Sequence, residues 1–119
     1  MTELTRAELR VWALEKMGIK VAYMGGRLWI IEPQTRFNEA PDDPTTDIAA
    51  AWELWAGIEE GVSHNVGFHA LWTAKIWGQV EGVYREAVVH VQSRDMIPLA
   101  MSAAYYEWRT GQRVVLREE

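Results

Sequence analysis

The sequence predicts an α+β fold in which helices and strands pack in layers, with helices covering one or both faces of a sheet. Two observations support this prediction. Apolar residues recur at helical spacing in three segments, and stretches of β-type residues with turn signals lie between those segments. The predicted order is α-ββ-α-ββ-α, and short connections between strands imply a mainly antiparallel four-stranded sheet. A chain of 119 residues fits one compact domain, taken as residues 1–119.

The first helix is expected over residues 5–17, because apolar side chains recur there every three to four positions and Gly18 supplies a stop. Residues 20–24 and 27–32 are rich in Val, Tyr, Leu, Trp and Ile. Between them stand Gly25 and Gly26, and two such glycines predict a two-residue hairpin turn because that turn needs positive φ. The sequence therefore predicts the first two strands as a hairpin.

Residues 33–44 hold three of the four prolines and are expected to form a loop that is a candidate for contact with another molecule. The segment Thr45-Thr46-Asp47 then offers side-chain oxygens to cap a second helix, which Gly61 is expected to end. The apolar face predicted for this helix consists of Ile48, Ala51, Trp52, Trp55 and Ile58.

The clearest strand pattern covers residues 66–78, where two sets of side chains alternate over more than ten residues. A turn near residues 79–82 and a strand to about residue 92 complete a second predicted hairpin. We expect Gly78 to lie opposite Val83, since that register gives sensible pairs on both faces. The facing pairs are then Lys75 with Glu86, Trp77 with Tyr84, Thr73 with Val88, Trp72 with Val89 and Ala74 with Ala87.

A third helix is expected to begin with Asp95 as its cap, with Pro98 in the first turn, where its missing N–H is tolerated. Apolar residues follow at helical spacing, and Gly111 ends the helix. Residues 114–116 are compatible with a short edge strand or with a packed tail, and the sequence leaves both open.

Composition narrows the function classes. The net charge is −5 and no Lys/Arg cluster is present, so duplex nucleic acid is not an expected partner. No apolar run is long enough to cross a bilayer, and the first residues lack the pattern of a signal peptide. The absence of Cys excludes disulfides and thiolate zinc sites and suits the cytoplasm. Arg outnumbers Lys, which fits either a small anionic ligand or scattered surface ion pairs.

Seven tryptophans in so short a chain raise the question of which ones fill the core. Trp77 lies on the mixed polar and apolar face of the second hairpin, and Trp29 is ambiguous. More aromatic surface than a small interior can bury also predicts a homo-oligomer. The five expected in the core are Trp12, Trp52, Trp55, Trp72 and Trp108.

The candidate ligand site is this mixed face. Trp77 and Tyr84 could stack a base or ring, or could pack against a helix or another subunit. His69 and His90 are expected to be diagonal neighbours there, but a metal would need a third ligand, and no metal or other cofactor is predicted. Arg85 or Arg94 would meet a ligand's charge. No nucleophile elbow or converging acid pair occurs, so no catalytic residue is predicted.

Several short segments resemble a family of phage and prophage proteins, the phage ABA-sandwich domain. The resemblance covers residues 45–53 (TTDIAAAWE), 98–100 (PLA) with 103–104 (AA), 15–18 (EKMG) and, more loosely, 72–74 (WTA). The chain departs from the family late in the third helix, where Ser102 and Ala103 replace Cys and Arg, and Tyr105 and Tyr106 replace smaller residues. The resemblance implies an α/β/α sandwich of phage origin and no settled activity.

The functional hypothesis is a non-enzymatic, oligomeric binding protein that sequesters a small anionic or nucleotide-like ligand, such as a host defence signal. The rival hypothesis is a module that binds a host or virion protein through residues 33–44 or through its surplus aromatic side chains.

Overall fold

The computed structural model describes residues 2–32, 42–58 and 61–117. Most of the predicted order is confirmed, and strands are added near both ends and after the second helix. In chain order the elements are β1 (Thr2–Thr5), α1 (Arg6–Lys16), β2 (Lys20–Met24), β3 (Arg27–Glu32), α2 (Ile48–Ala56), β4 (Ser63–His69), β5 (Leu71–Val80), β6 (Val83–Val91), a 3₁₀ turn (Arg94–Met96), α3 (Ile97–Thr110) and β7 (Val114–Arg117).

The described strands form three sheets, so the prediction of a single four-stranded sheet is wrong. β4, β5 and β6 make a three-stranded antiparallel sheet, and β2 and β3 pair only with each other as the predicted hairpin. β1 and β7 form a parallel pair from opposite ends of the chain, with Thr2 beside Val114. Residues 114–116, which the sequence left open, therefore belong to a strand.

The stretch expected as one strand over residues 66–78 is two strands. The chain reverses at Ala70, whose φ is 65°, and His69 lies opposite Leu71. An alanine in the left-handed region is uncommon and carries none of the usual turn signals, because Gly, Asn and Asp are the residues that adopt it easily. Odd-numbered residues stay on one face through this tight turn, so the alternation in the sequence continues without a visible break.

The predicted register of the second hairpin is wrong by two residues, although each residue lies on the expected face. The turn consists of Glu81 and Gly82, both with positive φ, and Val80 lies opposite Val83. This two-residue turn, rather than Gly78, sets the pairing. The observed pairs include Trp72 with Val91, Thr73 with His90, Ala74 with Val89, Lys75 with Val88, Trp77 with Glu86 and Gln79 with Tyr84.

The core lies between the even-numbered face of β5 and the helices. Ala74 and Ile76 from β5 share one buried cluster with Trp55 of α2 and Trp108 of α3. The Trp55 indole N–H donates to the Met101 carbonyl at 3.0 Å, and the Trp108 indole N–H donates to the Gly78 carbonyl at 3.3 Å. The described helices all pack toward this one face, so the parts of the chain described here do not form the third layer of an α/β/α sandwich.

The helix ends agree with the sequence at some positions and correct it at others. Thr5 and Glu8 form a capping box at α1, and Asp47 caps α2 by accepting the Ala50 N–H at 2.9 Å. α2 ends at Gly57 rather than at Gly61. Asp95 does not cap α3, because it lies within the 3₁₀ turn, whose cap is Ser93.

The tryptophans expected in the core divide into three groups. Trp55 and Trp108 are each 1% exposed, and Trp12 and Trp72 are half-buried beside the core. Trp52 is 45% exposed, so its assignment to the core is wrong. α2 is apolar on more than one side. It buries Ala51 and Trp55 of the predicted face together with Ala50 and Leu54, and leaves Ile48 and Trp52 of that face exposed.

We expect Trp55→Ala to lower the free energy of unfolding by about 3–5 kcal/mol, because it empties a core site and removes the hydrogen bond from the indole to the Met101 carbonyl. Trp52→Ala on the same helix is the matched control and should cost much less, since that ring already contacts solvent. Urea unfolding followed by circular dichroism measures both, and equal losses would contradict this account of the core.

Candidate functional site

One face of the three-stranded sheet carries no helix from the described residues, and we call it the open face. It presents the side chains at odd-numbered positions of β4 and β5 and at even-numbered positions of β6. These are Ser63, Asn65, Gly67, His69, Leu71, Thr73, Lys75, Trp77, Gln79, Tyr84, Glu86, Val88 and His90. Four of the six predicted site residues are among them.

Trp77 lies in a short chain of contacts across β5 and β6. The Lys75 ammonium is 5.0 Å from the centroid of the Trp77 ring and 3.5 Å from a Glu86 carboxylate oxygen. The Tyr84 hydroxyl donates to the other Glu86 oxygen at 3.4 Å. The Lys75–Glu86 pair is well exposed, so it orients these side chains more than it stabilises the fold.

Trp77 and Tyr84 line one concavity of about 430 Å³ with Gly61, Val62, Ser63, Gly78 and Gln79. The structure therefore brings the two predicted aromatic residues together, although Trp77 faces Glu86 directly and Tyr84 is its diagonal neighbour. The floor is close-packed, because a Cβ built on Gly78 would lie 3.0 Å from the Val62 Cα. The φ of Gly78 is 150°, which also disfavours any side chain there.

The two histidines lie at the opposite end of the open face and are not the diagonal neighbours that the sequence predicted. His69 is at the end of β4 and His90 is on β6, with β5 between them. Two strand spacings separate such residues by about 10 Å. The Nδ1 atom of His90 is 2.9 Å from the Thr73 hydroxyl oxygen, a hydrogen bond within the sheet.

The two arginines expected beside the ligand lie elsewhere. Arg85 points to the helix side, where its guanidinium donates to the Arg109 carbonyl at 2.8 Å and to the Trp108 carbonyl at 3.5 Å. A cation is favourable there because the last carbonyls of a helix carry partial negative charge. Arg94 begins the 3₁₀ turn before α3. A cation does lie beside Trp77, but it is Lys75, which the sequence had assigned only to an ion pair.

A second feature, the outer edge of β6, was not singled out by the sequence. Beside it lie two concavities of about 550 and 400 Å³ that share Val88, Glu107 and Arg113. Burial raises the pKa of Glu107, while the Val114 N–H and the charge of Arg113 act in the opposite direction. The valines that follow the Glu81-Gly82 turn predict a strand there. Whether that strand lies at the edge of a sheet depends on how all the strands pair, which the valines do not specify.

Within residues 2–32, 42–58 and 61–117, no group of three or more His, Asp or Glu side chains is placed to hold a metal ion. No helix in those ranges is long and apolar enough to cross a membrane.

Comparison of the chain with protein-family models, with curated proteins and with solved structures finds no match. The phage ABA-sandwich resemblance therefore stays a prediction. Of the predicted contact loop at 33–44, residues 33–41 lie outside the described part of the chain.

Glu107 makes stability depend on pH in a defined direction. Its pKa in the folded protein is above the ordinary 4.5, so the folded state keeps this proton longer than the unfolded state does. The free energy of unfolding should therefore fall as pH rises from 4.5 through the raised pKa. Glu107→Gln keeps an oxygen for the Val114 N–H and removes the charge, so we expect a flatter profile and greater stability at neutral pH.

Glu53→Gln, at an exposed position of α2, is the control for the loss of one carboxylate. Urea midpoints measured from pH 4 to pH 8 test the effect. If the midpoints of Glu107→Gln change with pH in parallel with those of wild type, Glu107 is not the source of the pH dependence.

Proposed function

We propose that the chain is a non-enzymatic binding protein that docks another folded protein on its open face. The observation that supports this proposal is the contrast between the two faces of one sheet. In the middle of β5 the helix side buries Ala74 and Ile76, and only at the ends of neighbouring strands does it expose Phe68 and Val83. The open face leaves Leu71 39% exposed, Val88 36% exposed and Tyr84 60% exposed. Large apolar side chains gathered on one exposed surface mark sites that bind a protein, a membrane or a ligand.

The open face has the composition that protein interfaces use. Trp and Tyr dominate interface hot spots because they bury a large area with few rotatable bonds. Trp77 and Tyr84 provide this area, and Lys75 and Glu86 add a fixed pair of opposite charges beside them. A partner that fits has an apolar centre, with an acidic group to meet Lys75 and a basic group to meet Glu86.

The charges on the open face also favour a protein over a small anion. Lys75 is already paired with Glu86, and Arg85 is hydrogen-bonded to the end of α3 on the other side of the sheet. A small phosphate or carboxylate would have to compete with Glu86 for Lys75. A protein surface can satisfy both members of the pair at once.

The test compares wild-type protein with Trp77→Ala and Leu71→Asp, two changes confined to the open face. Tyr23→Asp is the control, since Tyr23 is exposed on the β2–β3 hairpin. We expect a protein captured from a cell lysate by wild type and by Tyr23→Asp, but not by the open-face variants. With that partner purified, calorimetry should show binding at least about tenfold weaker for Trp77→Ala. Equal affinities for all variants would refute docking on this face.

A second candidate, binding of a small flat ligand, is supported by the concavity that Trp77 and Tyr84 share. Its volume suits a single heterocyclic ring, and stacking on an aromatic side chain is worth about 1–3 kcal/mol per base. If the phage resemblance holds, the ligand would be a nucleotide-like defence signal of the host.

A thermal-shift screen with nucleotides and cyclic nucleotides tests this second candidate. A ligand that binds here should raise the melting temperature of wild type and of Tyr23→Ala, and should have no effect on Tyr84→Ala. The candidate fails if no nucleotide gives a shift, or if the shift persists in Tyr84→Ala.

A further inference from the structure

A groove separates β6 from β7 on the side of β6 that faces away from β5. Its walls are residues 85–91 and residues 111–114 with Leu116, its floor is α3, and we call it the β6–β7 groove. We propose that it binds one extended strand of another protein, which inserts antiparallel to β6 and β7 and joins them into one sheet. This inference does not depend on what the open face binds.

The two walls of the groove run in the same direction. One concavity joins residues 85–88 to residues 111–113, and the other joins residues 88–91 to Val114 and Leu116. Residue numbers therefore rise together along both walls, so β6 and β7 are parallel. A helix that connects two parallel strands, as α3 does, is the usual crossover within one sheet. Within the described part of the chain β6 and β7 nevertheless do not pair, and the groove takes the place of a strand between them.

The wall on β6 offers backbone groups at every second residue. Val80 and Val83 flank a two-residue turn and form a hydrogen-bonded pair, so every second residue from Val83 onward bonds to β5. Glu86, Val88 and His90 lie between those residues and direct their N–H and carbonyl groups into the groove. Among the described residues, no backbone hydrogen bond outside the ladders engages these three.

The wall on β7 offers backbone groups in the same way. The Thr2 N–H donates to the Arg113 carbonyl at 2.7 Å, so Arg113 and every second residue after it face β1. Val114 and Leu116 therefore direct their backbone groups into the groove, and the Val114 N–H donates to Glu107 on its floor. In the described ranges, no backbone hydrogen bond outside the ladders engages the Val114 carbonyl or Leu116.

Two facing rows of backbone donors and acceptors favour an extended peptide over a small molecule. A strand presents N–H and carbonyl groups to both of its sides, so one strand can bond to both walls. Because the walls are parallel to each other, a strand can be antiparallel to both at once, which is the more stable pairing. Val88 and Leu116, one in each wall, are 36% and 40% exposed, so the backbone groups beside them are accessible.

The floor determines which side chains the strand needs. At the end where β6 finishes it consists of Leu99, Ala100 and Ala103, and the two small side chains leave depth for an apolar residue above them. Toward the start of β6 the floor carries Glu107, whose half-buried carboxylate can accept a hydrogen bond. We therefore expect apolar residues to face α3 in the N-terminal part of the strand. A donor such as Ser, Thr or Lys should follow toward its C-terminal end.

A random library of peptides of about eight residues is the probe for this site. Selection on the immobilised full chain should yield sequences without proline in which every second residue is apolar. A synthetic peptide with the recovered sequence then serves for calorimetry. If no sequence with this alternation is recovered, the proposal fails.

Two proline variants test the two walls separately. Val88→Pro and Leu116→Pro each remove one N–H that points into the groove and leave the hydrogen bonds to β5 or β1 intact. Each should weaken binding of the synthetic peptide at least about tenfold. Val88→Thr and Leu116→Thr keep the N–H and should bind as wild type does. Unchanged affinity in either proline variant, shown to be folded by circular dichroism, would contradict insertion between the walls.

Methylation of the peptide tests insertion without any change to the protein. N-methyl groups on either alternate set of peptide residues should weaken binding at least about tenfold, because one set bonds to β6 and the other to β7. A strand that pairs with one wall alone tolerates methylation of one of the two sets. That result would overturn the proposal.

Amide hydrogen exchange distinguishes a strand of another protein from a strand of this chain. In the free full chain the amides of Val88, His90 and Leu116 should exchange rapidly, and the synthetic peptide should slow all three. Slow exchange without peptide, in a monomer or in a dimer, would mean that the chain itself fills the groove, and would overturn the proposal.

Discussion

The packing of α3 on the helix side of β5 and β6 is the contact on which the rest of the structure depends. Trp108 donates its indole N–H to the Gly78 carbonyl of β5, and Arg85 of β6 donates to carbonyls at the last turn of the same helix. Ser102 donates to the Pro44 carbonyl at 2.8 Å, and Met101 accepts from Trp55 of α2. One helix therefore positions the sheet, the second helix and the segment that leads into it, and no described helix covers the other face of the sheet.

The tryptophans contribute more than apolar area. The indole N–H groups of Trp29, Trp55 and Trp108 each donate to a backbone carbonyl elsewhere in the fold. A buried indole N–H must find an acceptor, and here each acceptor is a backbone carbonyl. Each of these hydrogen bonds consequently orients its ring against the backbone that it contacts, which an apolar side chain such as leucine cannot do. Trp77 has a different role, since its ring contacts Lys75 on the open face.

Features set by neighbouring residues were predictable from the sequence, and features set by distant ones were not. The cap that Thr45-Thr46-Asp47 offers to the second helix and the Gly25-Gly26 turn are local, and both are confirmed. Ala70 carries no turn signal, so a reversal there was missed. Trp77 and Tyr84 share a concavity because strand alternation places them on one face. The direction of Arg85 depends on where α3 ends against the sheet, which alternation alone does not specify.

The parallel pairing of β1 with β7 has a mechanical consequence. Thr2 lies beside Val114 and Thr5 beside Arg117, so tension applied between the first and the last strand pulls the two strands along each other. In this shear geometry the hydrogen bonds of the pair bear the load together, whereas in a hairpin pulled open at its free end they break one after another. The short β1–β7 ribbon therefore acts as a clamp that shields the core from force applied through the two strands.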